Sequence, residues 1–175
     1  MISKLKLLTA CCATVLGAVT IAFAQSPSDA DKHWVRDALE GGNGEVQLGK
    51  LAVQKGNSDD VRHFGQHMVD DHTKMGDQLR PIAQKIGVDP TSGTSLGEKA
   101  TESELKLLSG DSFDKAYIKA MVKNHRDDLQ AFQKEAANGS DPDVKRAARK
   151  GAITVQSHLS MIEQIAKAHN IDVSK

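Results

Sequence analysis

The chain has 175 residues, 23 basic and 23 acidic side chains, 39% apolar content and 3% aromatics. This is enough for one domain with a sizeable core. The charge balance excludes a dedicated nucleic-acid binder, which carries a basic surplus, and the apolar content excludes wholesale disorder.

Residues 1–24 read as an export leader. Lys4 and Lys6 precede an uncharged apolar run from Leu7 to Ala24 that ends in Ala22-Phe23-Ala24. A basic start, an apolar middle and small residues at the cleavage site are the marks of a secretory signal peptide. Two other readings are weaker. The run is just long enough to span a bilayer, and Leu8-Thr9-Ala10-Cys11 looks locally like a lipoprotein processing site, but neither accounts for the A-x-A site followed by polar Ser26-Pro27-Ser28. Cleavage after Ala24 removes Cys11 and Cys12, so residues 25–175 carry no thiol for a disulfide, a nucleophile or a metal. The expected location is the periplasm, with no stable membrane span after cleavage; protein partners, oligomeric state and any outer-membrane association are not legible.

Four segments repeat apolar residues at helical spacing. The first, 29–55, carries Trp34/Val35, Ala38, Gly41/Gly42, Glu45, Leu48 and Ala52 on one stripe. Gly41, Gly42 and Gly44 are expected to loosen it. The second, 59–86, gives Val61, Gly65, Met68, His72, Met75, Leu79, Ile82 and Ile86, with Pro81 expected to kink or shorten it. The third, 112–138, gives Asp114, Ile118, Met121, His125, Asp128 and Phe132. The fourth, 142–169, gives Val144, Ala148, Gly151, Val155, His158, Ile162, Ile165 and His169. Ser58-Asp59-Asp60 and Asp141-Pro142-Asp143 supply start signals, while Gly56, Gly87 and Gly139 are placed to relieve left-handed caps. Segments one and two, like three and four, are joined by about three residues and form antiparallel hairpins. Residues 87–111, with a short helix expected over Thr101 to Leu108, link the hairpins. The fold expected is all-α: a ferritin-like four-helix bundle of two hairpins and one long crossover, in a single domain over 25–175.

Glu45, His72, His125 and His158 each interrupt an apolar stripe, one per helix. Glu45 and His72 lie equally far from the first turn, about 13 residues or roughly 20 Å. His125 and His158 lie about 16 or 17 residues from the second, roughly 25 Å. Turns at opposite ends of the bundle bring all four to one level. Four ionisable groups in one core layer are costly unless they share a cation. The expected site is one metal ion per chain, Zn, Cu, Fe or Mn, held by Glu45, His72, His125 and His158. Asp128, one turn beyond His125, is a fifth ligand or orients an imidazole. The competing reading is a metal-free structural bundle whose polar layer fixes register. Asp71 reads as solvated or as a support for a ligand, His63 and His67 as exposed, and His33 and His169 carry no role. Phe64-x3-Met68-Val69-x2-His72 and Tyr117-x3-Met121-Val122-x2-His125 repeat at an offset of 53 residues. Met68 and Met121 are either soft Cu(I) ligands or core filler, and the second reading is preferred. Nothing in the sequence marks a catalytic residue.

The sequence resembles a family of bacterial exported proteins with a ferritin-like domain of unknown function. The matching stretches are Gly44-Glu45-Val46-x-Leu48-Gly49-x-Leu51-Ala52, Phe64-Gly65-Gln66-x-Met68-Val69-x-Asp71-His72, Phe113-Asp114-x2-Tyr117-x3-Met121-Val122-x2-His125 and Gln156-x-His158-Leu159. The resemblance implies export and the ferritin-like fold, but no settled activity. Ferritin-type di-iron sites carry Glu three residues before each His. Here those positions are Val69 and Val122, so iron storage is not carried over and a single ion is favoured.

Overall fold

The computed structural model describes residues 26–174; the leader and its cleavage site lie outside the described residues. Five helices follow in order: α1 Asp29–Lys55, α2 Asp59–Lys85, α3 Leu96–Lys106, α4 Gly110–Asn138 and α5 Pro142–Ala168. There is no strand among the described residues, and no helix there is long and apolar enough to cross a membrane. The four long helices begin within two residues of the positions expected from periodicity. Helix α1 runs unbroken through its glycines, and α2 continues through Pro81 to Lys85 rather than stopping there. The crossover helix departs from expectation: it starts at Leu96, five residues before Thr101, because the Ser95 hydroxyl accepts the Glu98 backbone N–H and caps it.

Helices α1 and α2 pack along their length, as do α4 and α5. Helix α2 lies beside α5 and α1 beside α4, which closes the bundle, and α3 crosses α1 and α4. An aspartate from each hairpin completes the turn of the other. Asp114, in the first turns of α4, accepts the backbone N–H groups of Asn57 and Ser58 at 2.8 Å each and the Ser58 hydroxyl at 2.6 Å. Asp31, at the start of α1, accepts the Ser140 and Asp141 N–H groups at 2.8 and 3.3 Å, besides forming the capping box with Ser28. These contacts place the two hairpin turns at opposite ends of the bundle and require the link between hairpins to run its length. Of the three glycines read as left-handed caps, only Gly87 has positive φ. Gly56 and Gly139 are needed instead for close approach: a Cβ would stand 2.6 Å from the Ala52 carbonyl oxygen or from Glu135 Oε1.

The polar layer divides the core. On the side of the α1–α2 turn lies the larger apolar cluster, including Leu48, Phe64, Met68, Phe113, Tyr117, Met121 and Ile162. Beyond the layer, Val35, Leu39, Leu79, Ala83 and Val144 form the smaller one. Trp34 and Phe132 pack edge-to-face at 5.0 Å beside it.

Asp31 and Glu135 are both buried, at the far end of the bundle. Burial would raise Asp31, but hydrogen bonds from Ser28, Glu135 and Ser140 outweigh it and hold the group at about 2. Burial and the neighbouring Asp31 push Glu135 up to about 7. Between its ordinary value near 4.5 and about 7, Glu135 holds a proton in the folded chain that the unfolded chain has released. Its contribution is therefore present below pH 4.5 and lost as pH rises through 7. Urea unfolding at pH 5 and pH 8 is expected to show Glu135→Gln losing about 1–2 kcal/mol less than the parent over this range; equal losses would remove Glu135 as the cause.

Candidate metal centre

The side chains of His72 (α2), His125 (α4) and His158 (α5) meet in the core. One ring nitrogen from each lies within 4.8 Å of the other two. Ring centroids are 5.8 Å apart for His72–His125, 5.4 Å for His72–His158 and 5.5 Å for His125–His158. All three residues are buried. Phe64 covers them from the larger apolar cluster, packing edge-on to His125 and His158. Their convergence follows from the period: each histidine takes the place of an apolar residue on its helix's inward stripe.

Hydrogen bonds fix which nitrogen of two of the rings faces inward. His125 Nδ1 donates to the Met121 carbonyl oxygen, one turn back, at 2.9 Å. That leaves the lone pair on Nε2, which is buried and has no partner. His158 Nε2 donates to Asp71 Oδ2 at 2.9 Å, and its Nδ1 is the buried, unpartnered atom. His72 Nε2 is also buried and unpartnered, while its Nδ1 would stand 3.9 Å from a Cβ on Gly42. Burial, and then the neighbouring imidazoles, hold His72 well below its ordinary range. The same causes bring His125 to about 4 against the opposing bond to Met121. Burial lowers His158 as well, although Asp71 pulls it upward. Near neutral pH the rings are uncharged, and each has a nitrogen free to act as a Lewis base. Three neutral imidazoles around one point are a donor set that would suit a transition metal.

Glu45 and Asp128, the carboxylates read from sequence as ligands, stand outside this three-nitrogen set. Glu45 is fully buried; Asn124 Nδ2 donates to its Oε1 at 3.3 Å and to Glu98 Oε1 at 3.1 Å. Its Oε2 has no partner. Burial raises Glu45 well above the ordinary range, with the charges of Glu98 and Asp128 adding to it. Burial and Asp128 bring Glu98 to about 7, and burial and Asp127 bring Asp128 to about 6. Asp128 does not orient His125, whose second nitrogen is taken by Met121.

Asp71 bonds His158, the placement that one of its two sequence readings requires. Met68 and Met121 are buried members of the larger apolar cluster. His63 and His67 are exposed. His33 bonds Asp37 at 2.9 Å on the surface, and His169 ties α5 to Asp60 at 2.9 and 3.1 Å. Glu98, Asn124 and Tyr117 were not singled out as site residues. Glu98 fell in a link with no apolar period to place it. The available signal was Gly44, whose missing side chain leaves room for the Glu98 methylenes to lie against α1.

A family model described as a domain of unknown function (DUF4142) matches residues 17–165. The chain belongs to the DUF4142 family. No curated protein matches it. Among solved structures, the DUF4142 chain is similar to a DUF305 fragment from Deinococcus radiodurans, with TM-score 0.72 and 14% identity, covering 82% of this chain and 99% of that one. It is also similar to a DUF305 protein from Streptomyces coelicolor described as secreted, with TM-score 0.71 and 13% identity, covering 83% and 97%. At these identities the likeness establishes a shared helical-bundle fold.

Proposed function

We propose that this DUF4142 protein is an exported, periplasmic bundle that holds a divalent transition metal at His72, His125 and His158. The observation that carries the reading is the set of three buried, unpartnered ring nitrogens within 4.8 Å of one another. A buried polar atom without a partner costs about 1–3 kcal/mol, and a shared cation relieves three such costs together. The nitrogens are close enough that small side-chain shifts reach the roughly 2.0–2.1 Å of a metal–imidazole bond. A hydrogen bond on the outer nitrogen is what metal-binding imidazoles ordinarily carry, and two of the three have one. A donor set of three imidazoles suits Zn, Cu or Fe better than Mn, which prefers oxygen ligands. Export is supported by the leader read in residues 1–24 and accords with the secreted description of the Streptomyces neighbour.

The test is elemental mass spectrometry on untagged protein purified from the periplasm. Near one equivalent of a single transition metal at the imidazole position is expected. Protein that stays metal-free after reconstitution with Zn, Cu, Fe and Mn would leave the structural polar layer as the better reading. Asp71→Asn, which weakens the support behind His158, is expected to lower metal affinity roughly 10–100-fold without moving the melting temperature of the metal-free protein. An unchanged affinity would mean that Asp71 plays no part in binding.

A further inference from the structure

Two of the three imidazoles spend their outer nitrogen on a protein acceptor, His125 on the Met121 carbonyl and His158 on Asp71. His72 is the exception. Its Nε2 is buried and unpartnered, and among the described residues nothing accepts a hydrogen bond from its Nδ1. With the Nε2 lone pair turned to the other rings, the proton of neutral His72 rests on Nδ1. That N–H is a donor without an acceptor.

A cavity of about 90 Å³ lies between the four long helices, and His72 and Gly42 both line it. A Cβ on Gly42 would meet only His72 Nδ1, at 3.9 Å. At Gly41, on the same wall, a Cβ would meet nothing within 4 Å. Other helix glycines are explained by packing. At Gly49 a Cβ would stand 2.6 Å from the Gly65 carbonyl oxygen, and at Gly151 it would stand 2.1 Å from Phe132. No such contact explains Gly41 or Gly42, although glycine weakens a helix interior at both. Their missing side chains keep the cavity open beside His72.

The rest of the wall says what fits. Trp34, Met75, Leu79 and Phe132 supply apolar surface, and Asp128 is a half-buried charged group. Asp37 and Lys150, of opposite charge, stand at the exposed rim. An anion would face Asp128 and gain little from a solvated lysine, whereas a cation without lone pairs brings no acceptor for His72. An engineered cavity of about 150 Å³ holds benzene, so about 90 Å³ holds roughly four non-hydrogen atoms.

We propose that this cavity binds a small uncharged carbonyl compound, an amide or a ketone, whose oxygen accepts from His72 Nδ1. The inference deepens the metal reading and rests on it for the tautomer of His72. The guest supplies the outer hydrogen bond that the protein gives the other two imidazoles, so guest and metal each tighten the other.

The test uses acetamide, acetate and acetamidinium, which share one shape and differ in charge and in acceptors. Each is titrated into isotope-labelled, zinc-loaded protein, with the Gly41 and Gly42 amide signals followed by NMR and zinc counted by elemental mass spectrometry. Acetamide is expected to shift both signals and to bind roughly tenfold or more tightly than either ion. Gly42→Ala, whose methyl group covers Nδ1 without a clash, is expected to weaken acetamide by a similar factor while retaining zinc. Gly41→Leu, which fills the space, is expected to do the same and to raise the melting temperature. Metal-free protein is expected to bind acetamide roughly fivefold or more weakly. No acetamide shift at these amides in the zinc-loaded parent would overturn the proposal. Tighter binding of either ion, or equal acetamide binding by Gly42→Ala, would overturn it too. Acetamide bound equally with and without zinc would overturn the coupling between guest and metal. A parent chain that takes up no zinc would count against the imidazole reading alone, since the three compounds still rank the cavity.

Discussion

Asp114→Ala is expected to destabilise the metal-free protein by about 3 kcal/mol, lowering the melting temperature by about 6–12 °C for a domain of this size. The carboxylate is 3% exposed and accepts three hydrogen bonds from the turn between α1 and α2. Two of the donors are backbone N–H groups at the start of α2. Ser58, the residue that precedes that helix, makes no side-chain cap of its own and gives its hydroxyl to Asp114 instead. Removing the carboxylate therefore orphans the turn and takes a negative charge from a helix N-terminus. Asp114→Asn keeps one accepting oxygen but turns an amide N–H₂ toward donors, so it is expected to fall between alanine and the parent. Thermal melts followed by far-UV circular dichroism check both variants. A fall of under 2 °C for alanine would mean that water replaces the cap at little cost.

His125→Ala is expected to weaken metal binding by more than the roughly 10–100-fold attached to loss of a supporting residue, because it would remove one of the three proposed ligand nitrogens outright. A metal at one hundred times its dissociation constant stabilises the fold by about 2.7 kcal/mol, and the variant should lose that increment. The signature is a melting temperature that rises with added metal in the parent chain and stays flat in the variant. A second signature separates the histidine's charge from its packing. In the metal-free parent, folding holds His125 at about 4, below its ordinary 6.5. As pH falls through 6.5 the unfolded chain takes up a proton that the folded chain refuses until about pH 4. Stability is lost across that window, by up to about 3 kcal/mol from this one ring. The variant lacks the ring, so its stability should fall less between pH 7 and pH 5. A parallel decline in both proteins would assign the acid sensitivity elsewhere.

The bundle and its imidazoles were legible because periodicity and position carry the same information. A histidine that replaces an apolar residue on an inward stripe must lie in the core, and turns at opposite ends put the three at one height. Asp71 was harder to place, since it sits off that stripe; only the packing of α2 against α5 brings it to His158. Glu98 was out of reach for a physical reason. Helix α3 buries only Leu105, so its sequence has almost no apolar rhythm from which to assign an inward face. Asp31 was hidden differently. It looks like an ordinary first-turn acid, yet it is fully buried because it also closes a turn more than one hundred residues away. Gly44 was read as a weak point in α1, whereas its lack of a side chain is what admits its neighbour.

The three imidazoles are shared unequally between the hairpins: His72 belongs to the first, and His125 and His158 to the second. A nascent chain that has formed only one hairpin offers at most two of the nitrogens, and a chain whose hairpins have not docked offers no enclosed set at all. Ion retention would then act as a receipt for completed assembly. A cation captured early by a partial structure would remain free to leave, whereas one held after docking would lie behind Phe64, which packs against His125 and His158.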